Sequence, residues 1–341
     1  MTQFAHLIST IDTHAAGEPT RIVLSGLPLI PGPTMAAKKQ YMAEHLDHFR
    51  TLLMQEPRGH RDMFGAIVTP PTIPQAQYGV LFMDSGGYLD MCGHGIISIA
   101  TALIEIGMVA PMEPETVVVF DTAAGRVESR AKVEGQQVKE VSVANVASFL
   151  YDRDIELDLP EVGRVTLDVA FGGNFFAMVR ADYLGLSVHP AHVAQLTRYG
   201  MMINQAVNAK LEVVHPTLPH VTTVALTEIY EPPTRATPYA KSAVIFGHGQ
   251  LDRSPCGTGI SAAMATLYTR GELSLGEVLV SESLIGTRFR GQLLREVPLG
   301  DYVAVEPIFN GEAYITGMQQ FVVDPDDPVK YGFTLGSLSW R

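Results

Sequence analysis

Met91-Cys92-Gly93-His94-Gly95-Ile96 and Pro255-Cys256-Gly257-Thr258-Gly259-Ile260 are near-copies, and together they hold both cysteines of the 341-residue chain. Laid over one another at a constant offset of 164, residues 80–107 and 244–271 share eight of 28 positions without a gap: Val80, Phe82, Cys92, Gly93, Gly95, Ile96, Leu103 and Gly107 recur. Each copy reads as a short apolar strand (Val80-Leu81-Phe82, Val244-Ile245-Phe246), a polar loop, Cys-Gly-X-Gly and a helix. Apolar residues fall at helical spacing in both: Ile96, Ile99, Ala100 and Leu103 against Ile260, Ala263, Met264 and Leu267. Ile97, Ala102 and Ile104, with Ala262 and Ala265, make the other helix faces apolar too, so each helix is expected to be buried all round. Gly107 and Gly271 fit the left-handed residue that ends a helix. The fold predicted is α/β, of the α+β kind, with two pseudo-symmetric halves, each a β-sheet wrapped around one central helix.

A cysteine at a helix start has a chemical meaning. The first helical turn presents unpaired N–H groups and the positive end of the macrodipole, which favour thiolate over thiol. A carboxylate can sit on those N–H groups, and glycine lets the backbone come close to it. Two such turns facing one another would grip one carboxylate and aim a sulfur at each face of the adjacent carbon, the geometry of a two-base racemase. Taking an α-proton from an amino acid without a carbonyl cofactor forms a poorly stabilised carbanion, so fixed donors must hold the developing charge. One helix end contributes about 0.3–1 kcal/mol when exposed and up to ~2 when partly buried, which makes two converging ends a reasonable requirement. One sulfur must be thiolate while the other is thiol, so the two titrate as a pair. Duller readings compete. A structural disulfide is disfavoured in a chain without an export signal. Zinc on Cys92, His94 and Cys256 would use an uncommon Cys-X-His spacing. Inert buried cysteine fits either residue alone but not their shared context.

Composition excludes other classes. The net charge of −12 argues against a nucleic acid partner, whose binding begins with a basic surface. With 46% hydrophobic and 18% charged residues, the chain is expected to fold throughout. Met1 to His14 lacks the cationic and apolar regions of a secretory signal. The most apolar stretch, Gly95 to Ala110, is broken by Ser98, Thr101 and Glu105, short of the ~20 apolar residues of a membrane span. A soluble cytoplasmic protein with no membrane partner is the expectation. Short strands are predicted at 117–120, 138–143, 163–169 and 176–179, and a more polar helix over 190–211. The acidic segment Leu150 to Gly163 is the predicted crossing between halves, which gives a first half over 1–150 and a second from 151.

Asp252-Arg253-Ser254-Pro255-Cys256-Gly257-Thr258-Gly259, with Met91-Cys92-Gly93-His94-Gly95, resembles the proline racemase family, whose fold is that of diaminopimelate epimerase. Ile11 to Glu18, Glu56 to Gly65, Phe171-Gly172-Gly173-Asn174-Phe175-Phe176 and Ile315-Thr316-Gly317 are similar to further blocks of that family, so the likeness runs from Ile11 to Phe333. It implies that the end of the chain, about 320–341, returns to the half carrying Cys92, leaving 151–319 as the half carrying Cys256. It implies roles as well. Cys92 and Cys256 match the family's acid/base cysteines; Gly93, His94 and Gly95, with Gly257 and Thr258, match the turns that hold the carboxylate; Asp252 matches the acid that accepts from the substrate's ring amine. His220 is expected near the same amine, and Phe64 and Phe246 match the apolar walls around the ring. Ile96 and Ile260 stand where relatives often have threonine. In the hydroxyproline dehydratase branch a hydroxyl residue replaces the first cysteine, so Cys92 favours racemase or epimerase. The activity implied is interconversion of L- and D-proline with no cofactor and no metal, by a homodimer. The alternatives are 4-hydroxyproline 2-epimerase with the same cysteine pair, which two phenylalanine walls disfavour, and a catalytically silent amino acid binding protein.

Overall fold

The computed structural model describes residues 4–234 and 240–335. In chain order the elements are β1 (His6–Ala15), β2 (Glu18–Ser25), α1 (Met35–His45), α2 (Asp47–Met54), β3 (Phe64–Thr69), β4 (Tyr78–Asp84), β5 (Tyr88–Leu89), α3 (Gly93–Glu105), β6 (Glu115–Thr122), β7 (Gly125–Glu134) and β8 (Gln137–Ala144). They continue with β9 (Ser148–Leu159), β10 (Gly163–Phe171), β11 (Phe175–Arg180), α4 (Val193–Lys210), β12 (Val224–Glu231), β13 (Ala240–Phe246), β14 (Gln250–Leu251), α5 (Gly257–Thr269), β15 (Val278–Glu282), β16 (Arg288–Leu299), β17 (Tyr302–Gly311) and β18 (Ala313–Val323).

The chain divides into two compact units. One takes in the stretch up to Asp90, His94–Val141 and the stretch from Glu312 on; the other is Met91–Gly93 with Ser142–Gly311. These breaks differ from the predicted ones near 150 and 320, and Cys92 groups with the second unit. The acidic stretch at 150–163 accounts for the first difference. It is not a crossing but the strand β9 and its turn into β10, with Leu157 opposite Val165. Asp152, Asp154, Glu156 and Asp158 face solvent while Ile155, Leu157 and Leu159 face the core. Its charge imitates a linker, but its alternation is that of a half-buried strand.

The first unit pairs β18, β1 and β2 antiparallel, β2 with β3 parallel, β3 with β4 antiparallel, β4 with β6 parallel and β6 with β7 antiparallel. β18 lies along all of β1, from His6 opposite Val323 to Ala15 opposite Ala313. Arg21 ties the unit's buried layer: its guanidinium donates to both carboxylate oxygens of Asp12 at 3.0 and 2.8 Å, to the carbonyls of Leu53 and Arg58, and stacks on Phe321.

The second unit repeats that order. β10 and β11 are antiparallel, β11 and β12 parallel, β12 and β13 antiparallel, β13 and β15 parallel, β15 and β16 antiparallel. β16 pairs β17, β17 returns to β9 with Ala304 opposite Phe149, and β9 pairs β10, which closes a ring of strands. α5 packs against β9, β10, β11, β16 and β17, inside that ring. These four parallel pairs all have helices in their connections, α1 and α2, α3, α4 and α5, the usual form of a parallel crossover. α3 is buried from Gly93 to Ile104, and α5 from Gly257 to Ala262, so both central helices lie where the sequence predicts. Gly107 and Gly271 follow them at φ +78° and +74°, the left-handed stops read from the sequence. Among the described residues no helix is long and apolar enough to cross a membrane.

Candidate active site

Cys92 and Cys256 are both 4% exposed, and each immediately precedes a central helix. Cys256 caps α5 with φ +61° and ψ 101°, a backbone conformation that an L-residue with a side chain holds only when its surroundings enforce it. A short relay enforces it. The Ser254 N–H donates to the Asp252 carboxylate at 2.7 Å, and the Cys256 N–H donates to Ser254 Oγ at 3.1 Å. The sulfur lies 3.5 Å from Thr258 Oγ1.

The two helix starts converge. A Cβ built on Gly93 would lie 2.7 Å from Gly257 Cα and 2.7 Å from the Phe309 ring; one on Gly257 would lie 3.0 Å from Gly93 Cα and 2.5 Å from the same ring. Only glycine at both positions allows this approach. The loop Gly172-Gly173-Asn174 holds the pair from one side. Gly173, at φ +111°, packs on Met91 and Thr258, and Asn174 donates to the Met91 carbonyl at 2.7 Å. Asn145 donates to the Gly172 carbonyl and to Ser261 Oγ, and Ser261 donates to the Gly257 carbonyl. Asn145, Asn174, Ser254 and Ser261 escape a sequence reading aimed at reactive groups, although the Phe171 to Phe176 block was visible.

Electrostatics separate the groups. Burial, then the Asp252 charge, pushes the Cys256 thiol well above its ordinary range, while Thr258 pulls it down. Burial also raises Asp252 against the opposing hydrogen bonds from Ser254. Burial brings His94 down to about 3, so it is a neutral imidazole, set edge-on to Phe64 with ring centroids 4.6 Å apart. Glu228 is raised to about 8 by burial first and Asp252 second.

Phe246 is buried at the end of β13, opposite Gln250, and Asp252 is bonded to Val244 beside it. Cross-strand partners share a face, so Phe246, Gln250 and Asp252 lie on one side of this sheet. Gln250 is fully buried and neither amide atom has a partner among the described residues. His220 is exposed, unlike the other expected residues, and the buried histidine of its segment is His215, packed on Phe149 and Phe171.

A family model described as proline racemase matches residues 10–334. A proline racemase of Clostridioides difficile is 50% identical over 333 residues, covering 98% of this chain and 99% of that one. A 4-hydroxyproline 2-epimerase of Streptosporangium roseum is 44% identical, over 95% and 97%. The crystal structure of a hydroxyproline epimerase from Agrobacterium vitis with bound trans-4-hydroxy-L-proline matches with a TM-score of 0.93 at 30% identity, over 98% and 97%.

Proposed function

The chain belongs to the proline racemase family, and from that premise we propose that it is an amino acid isomerase interconverting L- and D-proline by a two-base reaction at Cys92 and Cys256. The observation that carries this reading is the near-contact of Gly93 and Gly257, the residues that follow the two cysteines. The substrate carboxylate sits on their N–H groups, where the helix ends favour negative charge. Asp252 accepts from the ring ammonium, and Phe246 covers the apolar ring.

With the carboxylate fixed, the thiolate on one side takes the α-proton. The charge left behind flows into the carboxylate and is stabilised by donors already in place. The thiol on the other side gives its proton to the opposite face. The product leaves with the two sulfurs exchanged in protonation, ready for the other enantiomer. Burial makes a lone Cys256 thiolate costly, so its charge is sustained by the helix end and Thr258 and by the bound ammonium, which offsets Asp252.

A second reading, 4-hydroxyproline 2-epimerase, draws on Gln250. Its unpartnered amide lies on the same face as Phe246 and Asp252, and a buried 4-hydroxyl without a partner would lose roughly 1–3 kcal/mol. L-proline and trans-4-hydroxy-L-proline, incubated in parallel with the reduced protein and followed by polarimetry and proton NMR, separate the two. Decay of the proline rotation to zero is expected. Turnover of hydroxyproline alone moves the assignment to the epimerase, and turnover of neither returns the protein to a silent binder.

A further inference from the structure

Glu228 takes no part in the proton transfers just described, yet it is buried against the start of α5. It is 3% exposed, and its Oε2 has no hydrogen-bond partner among the described residues. A Cβ on Gly259 would lie 2.7 Å from that oxygen and 3.3 Å from the sulfur of Cys256. The carboxyl and the thiol therefore border the same point in the first turn of the helix. Glu228 lies opposite Val244 on β13, the residue whose carbonyl accepts from the Asp252 N–H, so Glu228 and Asp252 share a face. Met178 is its uncharged partner on β11. The titratable groups that interact with it are Asp252, Cys256 and Tyr230, all of which form anions on ionising. Arg253 acts on Asp252. From α5 and β15 the cavity that Glu228 borders is lined by Ile260, Thr266 and Ser281, which carry no charge.

We propose that Glu228 is a positioning residue for Cys256: a carboxylic acid that fills the space behind the sulfur without charge, and whose ionisation suppresses formation of the Cys256 thiolate. While Glu228 keeps its proton, Asp252 is the carboxylate of this pair that raises the Cys256 thiol, and bound ammonium offsets it. Once Glu228 ionises, a second charge faces the thiolate through a medium with little water to screen it. The role given to Cys256 rests on the proposed function, but the electrostatic effect on its sulfur does not.

The test is peptide-resolved alkylation of Cys256 by iodoacetamide in the full-length protein. It runs from about pH 6 to about pH 10, either side of the ordinary cysteine range. In the native protein the rate should climb by less than the tenfold per pH unit of a single thiol once Glu228 ionises. In Glu228→Gln it should rise about tenfold above native in the alkaline half, as for a shift of about one pKa unit, with the acid half unchanged. Glu228→Asp, which keeps an ionisable carboxyl, should retain the suppression. Native and Gln profiles that superimpose, including two that stay flat, overturn the proposal, as does an Asp variant that behaves like Gln. Should the Gln variant not fold, a native profile following one simple titration overturns it. Alkylation reads the sulfur and not turnover, so a protein inert toward proline would be recognised separately.

Discussion

Cys256 is where sequence, backbone and chemistry meet in a single residue. Its positive φ, the Asp252–Ser254 relay behind it and the hydroxyl of Thr258 beside it all fix the sulfur at the open end of α5. Cys92→Ser and Cys256→Ser are each expected to abolish racemisation with circular dichroism unchanged, because a hydroxyl is a far weaker acid than a thiol and cannot alternate as base and acid; normal turnover in either variant contradicts the two-base reading. Gly257→Ala places a methyl group 2.5 Å from the Phe309 ring, and displacing the helix start by even 1 Å costs on the order of 100-fold in kcat. Steady-state rates on L-proline check it. Two buried ionisable groups set opposing pH limits on stability. His94 is lowered to about 3 from 6.5, so the unfolded chain binds more protons between those values, and His94's stabilisation is present above pH 6.5 and lost as pH falls toward 3. Glu228 is raised from 4.5 to about 8, so its contribution is present below 4.5 and lost as pH rises through 8. Each is worth up to a few kcal/mol, on the order of the pKa difference times 1.36. Urea unfolding of Glu228→Gln across pH should flatten the alkaline fall and leave the acid one; an unchanged alkaline fall removes Glu228 from the account.

Among the elements, α3 and α5 were the most legible, because each carries a helical apolar spacing, a glycine stop and a copy of the other. The strands around them were legible wherever apolar alternation was not masked by charge, and β9 marks the limit. Its outward face is acidic, so the eye follows charge and misses Ile155, Leu157 and Leu159 beneath it. Closure of the ring was not legible, since pairing of Ala304 with Phe149 leaves no local mark. The same holds for buried partners. Which of His215 and His220 faces inward, and that Glu228 borders Cys256, depend on contacts distant in sequence. α4 shows how such contacts are enforced: a Cβ on Gly200 would lie 2.8 Å from the side chain of Ile245 on β13. Gly200→Val is expected to push α4 outward and cost about 1–3 kcal/mol, as overpacking does, read as a lower midpoint in urea. A midpoint equal to the native one would mean that the helix has room.

Across the whole molecule the repeat is one of strand order as much as of sequence. Both units run antiparallel, parallel, antiparallel, parallel, antiparallel, from β1 to β7 in one and from β10 to β16 in the other, with the cysteine-led helix in the second parallel crossover of each. The aligned 80–107 and 244–271 segments are the part of this repeat that can be read in the residues themselves. The first unit depends on the last strand, for β18 is hydrogen-bonded along all of β1. A chain ending at Gly311 should lose hydrogen-exchange protection in β1 and β2 while β9–β17 and α5 retain theirs; even loss throughout would show that the second ring does not hold alone. In the proposed reaction two opposed sulfurs each serve one face of the substrate. The test starts from L-proline in deuterium oxide and measures α-deuterium separately in both enantiomers at early conversion, before the back reaction is appreciable. Deuterium in nearly all the D-proline, with the remaining L-proline still carrying its proton, is the predicted result. Equal labelling of both enantiomers, or D-proline that retains the original proton, would mean that one group serves both faces, and would contradict it.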